Sequence, residues 1–595
     1  MKKYILYLAS VLALGQLSSC SDFLDEVSED KFTTSTLFET PEGLEKMALA
    51  LYSYERDLTT RGNSNGFLGA HIFNERNTDL VVFTTGDDAN IGRYTSPGPT
   101  SNINGLLYSP FWKQRYYIIG RANEMIYYGE KLSEEAKVPL AEAHFWRAYC
   151  YYGLWARFSR LYLTTEPVTK ENLNDNIYVP ADSADVFKLM YEDADKAIAG
   201  LPLTSDFEGR LTQDAARHLK ALIAAWAKDW TEVKKQVEEV EKNGVHYMGA
   251  TPADVFGQQN LYNHPEALFA LHFSLDRGGK IHRIGSQYMN IIAESDYTHQ
   301  LQGNTLVKYN TENLGKQWGL AYPNSYLMSL YPEDDKRLTA YYKIDYTYQN
   351  PNKLITVPVA ELKTDDKTGR TYYTTTNHSG EPYKVKVGDV IYGRDIYAAT
   401  DKKLDRRNIL PSSLKMYDKW NRPLDSSLAD TRDIIVYRLA ETFLLGAEAC
   451  MHLNDQEGAR YYYNKSWERA GNDAVTGDVT FDMIRDEQAR ELAFEGRRWD
   501  FLKRNGIWYN QMRSYAGDFT KYPADNVGYK KGEYGVSDGR DANFGPNPDY
   551  YIDFNGSDND VKVRFNVLPT HVNWPIPQDQ IDAMGAENFP QNEGY

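Results

Sequence analysis

The chain has 595 residues, enough for a large buried core and for several domains. Its 83 acidic against 66 basic residues give a formal charge of -17. That balance favours solubility and sets nucleic-acid partners aside, because it repels phosphate backbones.

Lys2 and Lys3 precede ILYLASVLALGQL, an apolar run too short to span a bilayer as a stable helix, which leads into Leu17-Ser18-Ser19-Cys20. Small residues ahead of a single cysteine resemble the lipobox of bacterial lipoproteins. The resemblance implies cleavage before Cys20 and lipidation of its sulfur and amino group. Several acyl chains on one residue anchor more firmly than the marginal single chain. The alternative is an ordinary secretory signal with an incidental cysteine. Residues 1–19 thus read as a signal peptide. Residues 20–40, which open SDFLDEVSEDKFTTST after the cysteine, read as a lipid-anchored, solvated tether. No later apolar run is long enough to cross a membrane.

Helical periodicity begins at residue 41 and continues to about 245. PEGLEKMALALYSYERDL places Leu44, Met47, Ala48 and Leu51 on one face, with Pro41 near its start. Phe111 to Tyr128 is a second helix. AEAHFWRAYCYYGLWARFSRLY is a third, with Phe145, Ala148, Tyr152, Trp155 and Phe158 along one side. LTQDAARHLKALIAAWAKDW leads into TEVKKQVEEVEKNG, which stops at Asn243-Gly244. Later, RDIIVYRLAETFLLGAEACMHLN leads into DQEGARYYYNKSWERAG as another helical pair. Small-residue-rich helices joined by short polar turns follow the grammar of tetratricopeptide-like units. Cys150 and Cys450 both lie in Ala-rich helical patterns, where a thiol serves as a small apolar residue; a bridge between them is unsupported.

Between residues 246 and 430 helical periodicity fades and Tyr, Asn, Gly and Pro become dense. TGRTYYTTT and EPYKVKVGDVIYGR alternate in the manner of strands, predicting a small β-ribbon. Residues 516–560 are loop-like. The fold class that follows is mainly α: a tetratricopeptide-like scaffold at 41–245 and 431–595, ending in an extended tail, interrupted by a loop-rich ligand-binding lobe at 246–430. Loops held by a rigid frame are common binding surfaces.

One stretch invites a chemical reading. RELAFEGRRWDFLKR, residues 490–504, holds three carboxylates among five cations and three aromatic rings. Glu491, Glu495 and Asp500 read either as the acid/base pair of a hydrolase or as an ionic clamp. Glu487, Glu491 and Glu495 recur every fourth residue and share one face of a helix. Carboxylates so placed point the same way, whereas a glycosidase needs two flanking one bond, either ~5–5.5 or ~6.5–9.5 Å apart. The clamp is the expected role, with Leu492, Phe494, Trp499 and Leu502 as apolar contact area. No HExxH, GxSxG or GxxxxGK[ST] motif occurs, and the 11 histidines lack metal spacing. The loop from Asp553 has Asp558 and Arg564 where a calcium loop needs glycine and glutamate, so no cofactor or metal is expected and calcium is unsupported.

Five segments, in order, resemble the SusD/RagB family of outer-membrane lipoproteins. They are CSDFLD at 20–25, AEAHFWRAYCYYGLWARFSRLY, VYRLAETFLLGAEA, ARELAFEGRRWDFLKR, and NWPIPQDQIDA with the terminal FPQNEGY. The resemblance implies a non-enzymatic, cell-surface nutrient receptor, pairing as a hinged lid with a SusC-like TonB-dependent transporter. Cargo in that family is an oligosaccharide or, in some members, a peptide. A lipid-anchored glycoside hydrolase is the alternative from another class. With 46 Tyr and 11 Trp the chain has ample rings to cover pyranose faces, while polar groups meet the hydroxyl rim. Rings at helical spacing, such as Phe145, Trp155, Trp226 and Trp499, are assigned to the core. The resemblance places the site, by region, in 74–104, 286–304 and 317–326, and points to Arg93, Tyr94, Asn102, Tyr297, Trp318 and Tyr322. Gly319 leaves room for a ligand against Trp318. Asp79 falls where the family has a structural aspartate. Trp574 and its neighbouring prolines are expected to pin the tail to the body.

Overall fold

The computed structural model describes residues 37–60, 70–76, 78–83, 104–132, 134–169, 172, 178–207, 209–258, 260–274, 321–347, 411–418, 430–516 and 567–595. It also describes the backbone of short strands between 355 and 392. Cys20, the anchor segment and the calcium-like loop lie outside these residues.

Helices dominate, and successive ones pack in turn. Pro41–Thr60 and Ser109–Gly129 lean on Lys137–Phe158, which packs on Ser183–Gly200, then Gln213–Ala227, then Trp230–Asn243. Local chemistry fixes the starts. The side chains of Asp182, Asp229, Asp455 and Thr480 each accept a hydrogen bond from a backbone N–H in the first turn of the helix that follows. Gly244 closes Trp230–Asn243 with φ 67°, as its sequence predicts.

The chain then leaves the helical stack for the lobe and rejoins the stack at Leu439. Leu439–His452 packs directly against Trp230–Asn243 and against Gln456–Trp467, so the lobe interrupts one continuous array. Close approach depends on Gly446, where a Cβ would sit 2.9 Å from Val237 Cγ1 and 3.0 Å from Tyr462 Cδ2. The Ala- and Gly-rich pattern therefore has a physical basis: small residues let neighbouring helices touch.

Two expectations are corrected. Lys137–Phe158 is buried on nearly every side, not along one: Glu142, His144, Arg147 and Arg157 are inside with Phe145, Ala148, Tyr152 and Phe158, while Trp155 is only partly covered. In RDIIVYR, residues Ile434–Arg438 form a strand paired antiparallel with Ala267–Leu271. Its β-branched run suits a sheet, and the helix starts only at Leu439. The predicted β-ribbon is present. Asp345–Thr347 pairs with Val390–Tyr392, Ile355–Val357 with Tyr383–Val385 and Glu361–Thr364 with Thr371–Thr374, three antiparallel ladders nested in sequence.

Phe145 and Trp499 are fully buried and Trp155 and Trp226 partly so. Trp574 meets Tyr108, Phe111 and Phe158 with ring centroids 5.3–5.8 Å apart. Asn592 then donates to the carbonyls of Phe158 and Trp574, tying down the tail. Cys150 and Cys450 are buried, unbridged thiols, and burial pushes Cys150 up to about 12. No helix among the described residues is long and apolar enough to cross a membrane.

Candidate functional site

The 490–504 stretch is not a single helix. Phe481–Leu492 ends before a turn in which Phe494 takes φ 65°, and a second helix, Arg498–Arg504, follows. Glu495 therefore leaves the helical face predicted for it and enters the same charged cluster from the turn. Glu487 accepts from Arg337 Nη1 at 2.6 Å, Ser466 Oγ at 2.7 Å and Arg490 Nε at 2.8 Å. Glu491 accepts from Tyr341 at 2.9 Å, Arg438 at 2.8 Å, Arg337 at 3.1 Å and also Arg469. Glu495 accepts from Lys415 at 2.7 Å and from Arg438 Nε and Nη2, each at 2.8 Å. Asp335 grips Arg337 with both oxygens, and Glu266 takes Arg438 and Arg469.

Five carboxylates and five cations thus meet in one buried cluster without net charge. Burial alone would raise the Glu491 carboxyl, but Arg469, Arg438 and Arg337 outweigh it and hold it well below the usual range. Such a group cannot serve as a general acid near neutrality. Asp500 belongs to a different knot, accepting from Arg157 at 2.5 Å and Tyr152 at 3.1 Å. The clamp reading of the stretch holds.

From the clamp the structure leads outward to where the candidate loops begin. Arg498 donates to Gln488 on the clamp helix at 2.8 Å and grips Asp79 with Nε and Nη2, each at 2.8 Å. Two residues beyond Asp79, Val81–Phe83 pairs antiparallel with Ala321–Pro323, with Phe83 opposite Ala321 and Val82 opposite Tyr322. Asn324 locks this pair. Its amide donates to the carbonyls of Asp79 and Tyr515, each at 2.8 Å, and its oxygen caps the next helix through Leu327 N–H at 2.9 Å. Tyr326 stacks on Tyr515 at 3.7 Å. Segments 84–103, 275–320 and 517–566 thereby have one end each at Phe83, Ala321 and Ala516, beside a single asparagine.

Five of the six predicted ligand-binding residues, Arg93, Tyr94, Asn102, Tyr297 and Trp318, lie on the first two of those segments, outside the described residues. Tyr322 is different. It sits in the ladder itself with 0% exposure, so its ring offers no face to a ligand in this conformation. Asp79, set aside as structural, is buried and paired as expected. Sequence reasoning missed Asn324 and Arg498 as organisers of the loop roots. The Asn-Ser-Tyr start of a short apolar helix was the available cue for Asn324. Among the described residues no cluster of three or more His, Cys, Asp or Glu is arranged to hold a metal.

Among the described residues the site is thus a ladder braced by the charged clamp on a frame of stacked helices. Residues 265–595 match the SusD family model, more than half of the chain, and the chain belongs to the SusD family. It is similar to SusD-like protein P25 of Formosa agariphila, 22% identical over 598 residues and covering 97% of each chain. In fold it is similar to a SusD homolog from Bacteroides thetaiotaomicron, with TM-score 0.65 and 18% identity over 95% of this chain and 100% of that one. A laminarin-binding SusD-like protein matches with TM-score 0.58 and 18% identity, over 93% and 99% of the two chains.

Proposed function

We propose that this protein is a cell-surface receptor that captures glycan fragments by aromatic stacking and passes them to a SusC-like TonB-dependent outer-membrane transporter. The observation that carries the reading is the ladder of Val81–Phe83 with Ala321–Pro323, which joins the ends of two candidate loops more than two hundred residues apart in sequence. Family membership and the glycan-binding relatives support the same class of cargo. Cys20 is the proposed lipid anchor, and Cys20→Ala should abolish acyl labelling.

The chain acts as a binder, without catalysis, in this reading. The carboxylates of the clamp are saturated by cations, and the near-neutral Glu75 is fully buried with its Oε1 held by Gly496 N–H. Modest affinity suits a protein that must release its cargo: a ring stack contributes about 0.5–1.5 kcal/mol. Calorimetric titration of laminari-, malto- and cello-oligosaccharides and of mixed peptides into native protein and Trp318→Ala tests the proposal. Glycan affinity should fall about three- to ten-fold in the variant, which should stay folded. Binding of peptides alone, or glycan affinity untouched by the substitution, would overturn it.

A further inference from the structure

Ten large apolar side chains stand well exposed among the described residues, and three of them, Leu203, Phe207 and Tyr247, line one groove of about 390 Å³. Phe207 and Tyr247, 68% and 63% exposed, are the two most exposed aromatic rings among those ten. Single exposed apolar residues are commonplace, but convergence of rings on a recess of ligand size needs a reason.

Both rings sit on segments tied down at several points. Leu201 and Leu211 are buried at the ends of the Phe207 loop, where Gln213 N–H donates to Pro202 O and Leu211 N–H to the Tyr52 hydroxyl, each at 2.8 Å. Tyr247 N–H donates to Pro265 O at 3.3 Å, and Gly249 N–H to Glu266 Oε1 at 2.8 Å. Glu266 is a member of the clamp, so the same buried charges brace this groove. The strand at its wall, Ala267–Leu271, continues toward segment 275–320.

Charge narrows the occupant. Among the described lining residues Arg210 is the single Lys, Arg, Asp or Glu. Its guanidinium is matched by Glu45 and Glu142, and it lies 5.9 Å from the Phe207 ring centroid. Among the described lining residues no Lys or Arg is left unmatched to attract an anionic ligand, His246 lies 3.8 Å from Asp214, and Asp206 on the same loop is exposed. Tyr262, Asn263, Thr204 and Ser205 supply neutral hydrogen-bonding groups. Two exposed rings with a neutral polar floor fit a ligand that has apolar faces and a hydroxyl rim.

We propose that this groove is a second glycan subsite, selective for neutral sugars and separate from the loop-borne site. The inference rests on the glycan reading of the chain but not on Trp318 or its neighbours.

Hydrogen–deuterium exchange on the full folded chain tests it, with laminarin, maltoheptaose and cellohexaose as neutral probes and alginate as the charged control. A neutral glycan should slow exchange in 203–211 and 245–249. The Phe207→Ala/Tyr247→Ala double variant should lose that protection and weaken the affinity of this site about five- to ten-fold. Both rings face solvent, so its thermal midpoint should match the native one. Trp318→Ala should leave the groove protection in place, whatever becomes of loop binding. Protection by none of the neutral glycans, its persistence in the double variant, equal protection by alginate, or its loss in Trp318→Ala would each overturn the proposal. A Trp318→Ala variant with unchanged total affinity but normal groove protection would count against the loop site and support this one.

Discussion

The clamp around Glu491 and the groove between Phe207 and Tyr247 share Glu266 as a brace, yet they treat water in opposite ways. In the clamp, carboxylates and cations are removed from solvent and saturate one another. In the groove, rings that could add to a core remain in water, above an arginine whose charge is already matched. Buried, mutually satisfied charge is costly to disturb and unavailable to a substrate. Exposed, pre-positioned rings lose little freedom when a ligand covers them. The difference teaches where to look for function in this fold: at exposed apolar area on braced segments, and not at the greatest density of ionisable groups.

The strongest way to break that contrast is to remove a carboxylate from the clamp. Glu491→Ala leaves Arg337, Arg438 and Arg469 short of a partner in the interior, and should cost about 3–5 kcal/mol in urea unfolding. A midpoint unchanged from native would show that the cluster is not held together by charge. Asn324→Ala should cost less, about 1–3 kcal/mol, because it removes hydrogen bonds to Asp79, Leu327 and Tyr515. It should also weaken glycan binding, since the loop roots lose their common joint. Stability lost without any change in affinity would separate the joint from the site.

Acidity sharpens the comparison further. The largest influence on Glu441 is burial, which raises it, but Arg497 and His218 prevail and hold it at about 2. Its folded pKa is depressed, so its stabilisation is full above the ordinary glutamate value of 4.5. It is lost as pH falls from there toward 2. Glu75 runs the other way: burial, partly offset by Gly496 N–H, raises it to about 7. Its contribution is full below about 4.5 and disappears as pH rises through 7. Glu75→Gln should therefore be more stable than native at pH 8, by on the order of 1–2 kcal/mol, and indistinguishable at pH 4. A native-like slope between pH 5 and 8 in the variant would place the titration on another group.

Much of the scaffold was legible because short-range chemistry dictates it. Gly446, Ala-rich faces and Asp or Thr caps declare close-packed helices whatever lies far away in sequence. The turn at Phe494 was not legible: a bulky residue at positive φ is held by tertiary contacts, with its carbonyl accepting from His71. The strand Ile434–Arg438 was hidden because its apolar run continues without punctuation into the helix that follows. The clamp's role could be read from its own composition, but Arg337, Lys415, Arg438 and Arg469 are scattered over more than a hundred residues, and only the fold collects them. Tyr322 was misplaced for a related reason. A three-residue strand carries almost no periodic signal, so a core tyrosine resembled a loop tyrosine.

Whether the charged heart of the molecule holds structure or does chemistry is decided most directly by assaying reducing-end release alongside glycan binding. Native protein, Glu487→Gln, Glu491→Gln and Glu495→Gln should be compared at a temperature where all four are folded. The expected result is lowered unfolding midpoints in the variants, closely similar glycan affinities, and no product from any of the four. Product released by the native chain and abolished by one of these substitutions would contradict it.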